Sequence, residues 1–145
     1  MPNTETSGGG ATLHPLHAIL LAFPLALFSA GLISDIAYLR TAVIQWSNFS
    51  AWLITGALVF GGLVLAWGVI AAVFPRRSSR RRALAFLAAV AVMWLAGLIN
   101  AFQHSHDGWP SVGALGLTLS ILSSLFALIA AAIGYSSPSA RGIVR

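Results

Sequence analysis

Apolar residues dominate four long stretches of the chain, at about 18–39, 51–74, 83–102 and 114–135. Polar residues gather between them, in RTAVIQWSNFS, PRRSSRRR and QHSHDGWPSV, and at the two ends. At about 1.5 Å of rise per residue, a helix made from any of these stretches crosses a hydrocarbon layer of ~30 Å. Backbone amides in lipid have no water to bond, so each stretch must satisfy its own as a helix. A membrane strand would instead show about ten residues of alternation, which these runs lack. The pattern predicts an all-α membrane protein, a four-transmembrane-helix bundle spanning residues 14–136.

Composition agrees. Of 145 residues, 58% are hydrophobic and 8% charged, too few charges to cover a soluble domain. Residues 1–13, MPNTETSGGGATL, have nothing to bury and are expected to form a disordered lead, as residues 137–145 form a flexible tail. The lead carries no Lys or Arg, so it lacks the positive start of a signal peptide, and the first span is expected to stay in the mature protein.

The net charge of +5 suggests nucleic acid until the arginines are located. Arg76, Arg77, Arg80, Arg81 and Arg82 all lie between the second and third spans, so they read as a topology signal. The lipid bilayer is the expected partner, with a second copy or another membrane protein as candidates, and no nucleic acid. The arginine loop belongs in the cytoplasm by the positive-inside rule, which puts both termini there and the other two loops outside. Trp46, Trp52 and Trp109 would then sit at the outer interface, their rings buried and their N–H groups wet.

Small residues mark the packing faces. Ala57, Gly61, Gly68 and Ala72 line one face of the second span, and Gly113, Gly116, Ser120, Ser124, Ala127, Ala131 and Gly134 one face of the fourth. Close approach of backbones is what holds helices together in lipid. The serine hydroxyls are expected to bond the carbonyl four residues back.

At 100° per residue, His17, Pro24, Phe28, Gly31 and Asp35 share one face of the first span. Pro24 removes an amide donor and is a candidate kink. His14 and His17, three apart, are the candidate pair for a metal, a haem iron or an anionic head group. A second candidate cluster lies at the other end of the spans: Asp35, Asn100 and His104, with His106, Asp107 and Arg40 close by in sequence. A carboxylate inside a span is costly and turns to the bundle or a partner. The two histidine groups fall at opposite faces of the bilayer, so within one chain they cannot share a haem. With no cysteine, thiolate-ligated haem and iron–sulfur clusters are excluded. No catalytic grouping of serine, histidine and acid appears, and no phosphate loop.

The stretches HPLHAILLAFPLALFSAGLISDIAYLRT, IQWSNFSAWLITGALVFGGLVLAW and GLINAFQHSHDGWPSVGALGLTLS resemble a widespread bacterial family of small four-helix membrane proteins, catalogued as a domain of unknown function. The resemblance implies the four-helix fold and a bacterial inner-membrane location, and brings no activity. Many members end the fourth helix with Gly-Trp and a glycine-rich tail holding a histidine. This chain has Ile133-Gly134-Tyr135 and then SSPSARGIVR, without one, so a ligand shared with the His14–His17 end is not carried over. The expected function is a non-catalytic scaffold or accessory subunit without a cofactor. The alternatives are a haem- or metal-binding redox accessory using His14 and His17, and a small permease using the Asp35–Asn100–His104 line.

Overall fold

The computed structural model describes residues 15–74, 80–106 and 112–136. They form four helices: α1 (Pro15–Thr41), α2 (Ile44–Val73), α3 (Arg80–His104) and α4 (Ala114–Tyr135). All four are long and apolar enough to cross a membrane. The lead, the tail, His14, Arg76, Arg77, Asp107 and Trp109 lie outside the described residues.

The main departure from the sequence pattern is at the first connector. The stretch RTAVIQWSNFS is almost wholly helical: α1 runs to Thr41 and α2 starts at Ile44. The turn is made by Ala42 and Val43 alone. Ala42 takes a left-handed conformation (φ 56°), and its N–H bonds the Tyr38 carbonyl at 2.8 Å, closing α1. Val43 is extended and opens α2. Gln45, Ser47 and Asn48 make this stretch look like a loop, yet it contains no Gly or Pro to stop a helix. With its start so early, α2 has 30 residues against 22 in α4.

Each helix packs on its neighbours in chain order, and α4 returns to α1 to close the square. The buried positions step by three and four. On α2 they are Ser47, Ser50, Ile54, Ala57, Gly61, Val64 and Gly68. On α1 they are His17, Leu21, Pro24, Phe28, Gly31, Ser34 and Asp35, a set containing every residue of the face expected there. That seven-residue rhythm is the seam of a left-handed bundle. Outside the seam the surface is also apolar, with Ile33, Trp52, Val59 and Phe102 more than 60% exposed. A membrane bundle meets lipid there, so small and polar side chains mark its inside better than hydrophobic ones do.

At mid-depth the core is Leu21, Phe28, Ile54, Ala57, Val64, Val90 and Met93, none more than 1% exposed. Phe28 reaches from α1 across the diagonal to α3. A Cβ on Gly97 would lie 2.5 Å from its Cζ, so only glycine leaves room for the ring. Pro24 sits inside α1, which continues through it, and faces Gly61 of α2.

Candidate functional site

The two ends of the bundle differ in chemistry. One gathers the ends of α1 and α3 with the starts of α2 and α4, and holds Asp35, Asn100, His104 and Ser120. The other gathers the start of α3 with the end of α4, and holds the described arginines Arg80, Arg81 and Arg82.

At the carboxylate end, α1 presents Asp35 one step beyond Ser34, on the face that already buries Phe28 and Gly31. Helix α3 presents Asn100 and His104, four apart and therefore on one side. Helix α4 presents Ser120. Their contacts close a ring. Asn100 Nδ2 donates to Ser120 Oγ at 2.7 Å, and Ser120 Oγ donates to Asp35 Oδ2. Asp35 Oδ1 lies 2.9 Å from His104 Nε2, and His104 Nδ1 lies 3.0 Å from the carbonyl of Asn100. The side chains of His104 and Asp35 are 1% and 0% exposed. Asn100 and Ser120 are 0% and 2% exposed. The ring thus joins three helices, and the Asp35–His104 contact crosses the diagonal that helix packing leaves open.

Burying a carboxylate in a membrane bundle is costly unless its oxygens are satisfied. Here both Asp35 oxygens are. The four-membered set includes Ser120, which sequence periodicity placed on a packing stripe with an intrahelical bond. Ser123 and Ser34 do make that bond, to Leu119 and Ala30. Ser120 and Ser124 do not: Ser124 Oγ reaches the Phe28 carbonyl on α1 at 2.9 Å. The signal that singles out Ser120 is its α4 position opposite an acid on α1, which becomes visible only once the register of the two helices is known.

The remaining candidates of this end stay out of the ring. His106 is exposed, with Nδ1 3.4 Å from the Gln103 carbonyl. Arg40 is exposed at the last turn of α1, and no ion pair between it and Asp35 occurs among the described residues.

At the arginine end, His17 is buried, 7% exposed. Its ring lies 5.4 Å from that of Trp67 and 5.5 Å from that of Phe86. Tyr135 Oη donates to the Ala18 carbonyl at 2.8 Å, tying α4 to α1. Arg82 donates to the carbonyls of Ile133 and Ser136 and so caps the C-terminus of α4, where a cation also suits the helix dipole. Arg80 and Arg81 are exposed. His17 stands 18 residues before Asp35 on α1, about 27 Å along the axis, so it belongs to a different site from His104. Among the described residues no three His, Asp or Glu side chains converge as a metal group.

Fold and site together define a four-helix integral membrane protein with one buried polar ring. Residues 13–143 match the family model described as a predicted membrane protein (DUF2231), and the chain belongs to that family. No curated protein and no solved structure matches it.

Proposed function

We propose that the protein is a non-catalytic scaffold or accessory subunit of the bacterial inner membrane, with another membrane protein or a second copy as its partner. The observation that carries this is what the buried polar side chains do. Many tie one helix to another: Ser50 bonds the Gly31 carbonyl, Ser124 that of Phe28, and the ring joins α1, α3 and α4, with the half-buried Trp94 (to Leu58) and the exposed Tyr135 (to Ala18) adding two more ties. Such use of polar groups fixes a shape, as a scaffold requires. Purified in mild detergent, the protein is expected to be colourless and free of stoichiometric metal, and in liposomes to pass no solute. A Soret band lost in His17→Ala would overturn this reading in favour of the redox accessory. Solute flux lost in Asp35→Asn would overturn it in favour of the permease.

The same reading places the arginine end, and both termini, in the cytoplasm. Its support is the five arginines of residues 76–82 with Arg141 and Arg145, against Arg40 alone toward the other end. The chain has no cysteine, so single introduced thiols report cleanly. A membrane-impermeant maleimide added to intact cells should label Ser105→Cys and leave Arg81→Cys unlabelled until the cells are opened. The reverse pattern would invert the topology.

A further inference from the structure

The hydrogens of the ring can be counted from its geometry. A carbonyl only accepts, so His104 Nδ1, facing the Asn100 carbonyl, carries a hydrogen. An amide nitrogen only donates, so the Ser120 hydroxyl, receiving from Asn100 Nδ2, must turn its own hydrogen to Asp35 Oδ2. Between Asp35 Oδ1 and His104 Nε2, 2.9 Å apart, there is room for one hydrogen and no more. With it, the pair is neutral overall, as acid and imidazole or as carboxylate and imidazolium. Without it, two lone pairs face each other beside an uncompensated negative charge.

We propose that this ring is a proton-binding site, open to water only at its own end of the bundle, and that its ligand is one proton delivered by water. Uptake moves a proton from hydronium onto the Oδ1–Nε2 pair and leaves water; release reverses the step. Two further observations support it. Asn100 Oδ1 is buried and has no hydrogen-bond partner among the described residues, an acceptor beside the pair for the water that delivers the proton. The exposed neighbours of the ring lie on one side of it. His104 is the last residue of α3, with exposed Ser105 and His106 after it, while Phe28, Ile54, Met93 and Val90 seal the bundle beneath. Ser123 and Ser124, one turn below Ser120, have their hydroxyl hydrogens engaged by carbonyls and offer no relay. The other titratable or charged groups described at this end are Tyr38 and Arg40 on α1 and His106 after α3; α2 and α4 bring none. This goes beyond the scaffold reading, which stands or falls on cofactor content and solute flux.

Infrared difference spectra of the full chain in nanodiscs, taken between about pH 4 and about pH 10, test the proposal. The Asp35 carboxyl band and the His104 ring band should change together at one midpoint. His104→Gln keeps a donor for Asp35 and removes the titrating ring. It should shift the Asp35 midpoint at least about tenfold in proton concentration. Ser120→Ala, which frees Oδ2, should move the carboxyl frequency, and Asp35→Asn should abolish the band. If the bands change independently, or the midpoint is the same in His104→Gln, there is no shared proton site. With a pH dye sealed inside liposomes, proton entry should match that of protein-free vesicles. Entry that depends on His104 would overturn the one-sided access.

Discussion

Asp35→Ala is expected to remove about 3 kcal/mol from the stability of the bundle, whereas Asp35→Asn should remove about 1 kcal/mol. Two magnitudes bracket the first value. A single interhelical hydrogen bond in a membrane bundle contributes ~0.6 kcal/mol on average and rarely above ~1.7, because the separated helices also find partners. Breaking a buried charged pair from one side costs ~3–5 kcal/mol in water-soluble proteins, since the group left behind is stranded. Alanine does the second. It strands His104 Nε2 and the Ser120 hydroxyl together, and leaves a cavity at a position with 0% exposure. Asparagine has nearly the same shape. Its carbonyl can accept from Ser120 while its amide donates to a neutral His104. Reversible unfolding in mixed micelles measures both. An alanine variant within about 0.5 kcal/mol of wild type would show that the ring does not hold the helices.

Gly97→Ala should cost a further ~1–3 kcal/mol, and Phe28→Leu should recover much of it. The added Cβ would stand 2.5 Å and 2.7 Å from two carbons of the Phe28 ring, far inside contact distance. Phe28 is 1% exposed and hemmed in by the core, so the ring has nowhere to turn without moving α1. The coupling is the informative quantity. In a double-mutant cycle the two changes should deviate from additivity by more than about 0.5 kcal/mol. Additive costs would mean that the diagonal contact between α1 and α3 is not what Gly97 serves.

Run length alone predicts four helices, because lipid leaves a long apolar stretch no other way to satisfy its backbone, and four are present among the described residues. The inward face of α1 was equally legible. His17, Pro24, Phe28, Gly31 and Asp35 share an azimuth, and a carboxylate cannot face lipid. The grouping of Asp35 with Asn100 and His104 follows from the similar depth of Asp35 and Asn100 and from the shared face of Asn100 and His104. Ser120 was not legible as part of that group, since α4 presents several small and hydroxylated residues and only its register against α1 selects one. The start of α2 was missed because Gln45, Ser47 and Asn48 are polar, a poor guide at a membrane surface. Ser47 and Ser50 continue the three-and-four rhythm of Ile54, Ala57 and Gly61, and that spacing was the available signal.

The early start of α2 has a consequence for the ring. Thirty residues make a rod of about 45 Å, against about 33 Å for the 22 residues of α4. The surplus over α4 falls at the arginine end, where α2 runs on past Trp67, beside His17, while α4 stops one residue after Gly134, beside Leu21. In the first two turns of α2, Ile44, Trp46 and Phe49 are exposed among Gln45 and Asn48, a composition suited to the headgroup layer. Ser50 bonds the Gly31 carbonyl, so these turns run alongside Asp35, and a headgroup layer at their level would stand just above it. Hydrophobic mismatch therefore acts on the ring directly. A thin bilayer brings hydrated headgroups down to Asp35, and a thick one draws hydrocarbon up past it, so the host membrane sets how dry the buried acid is.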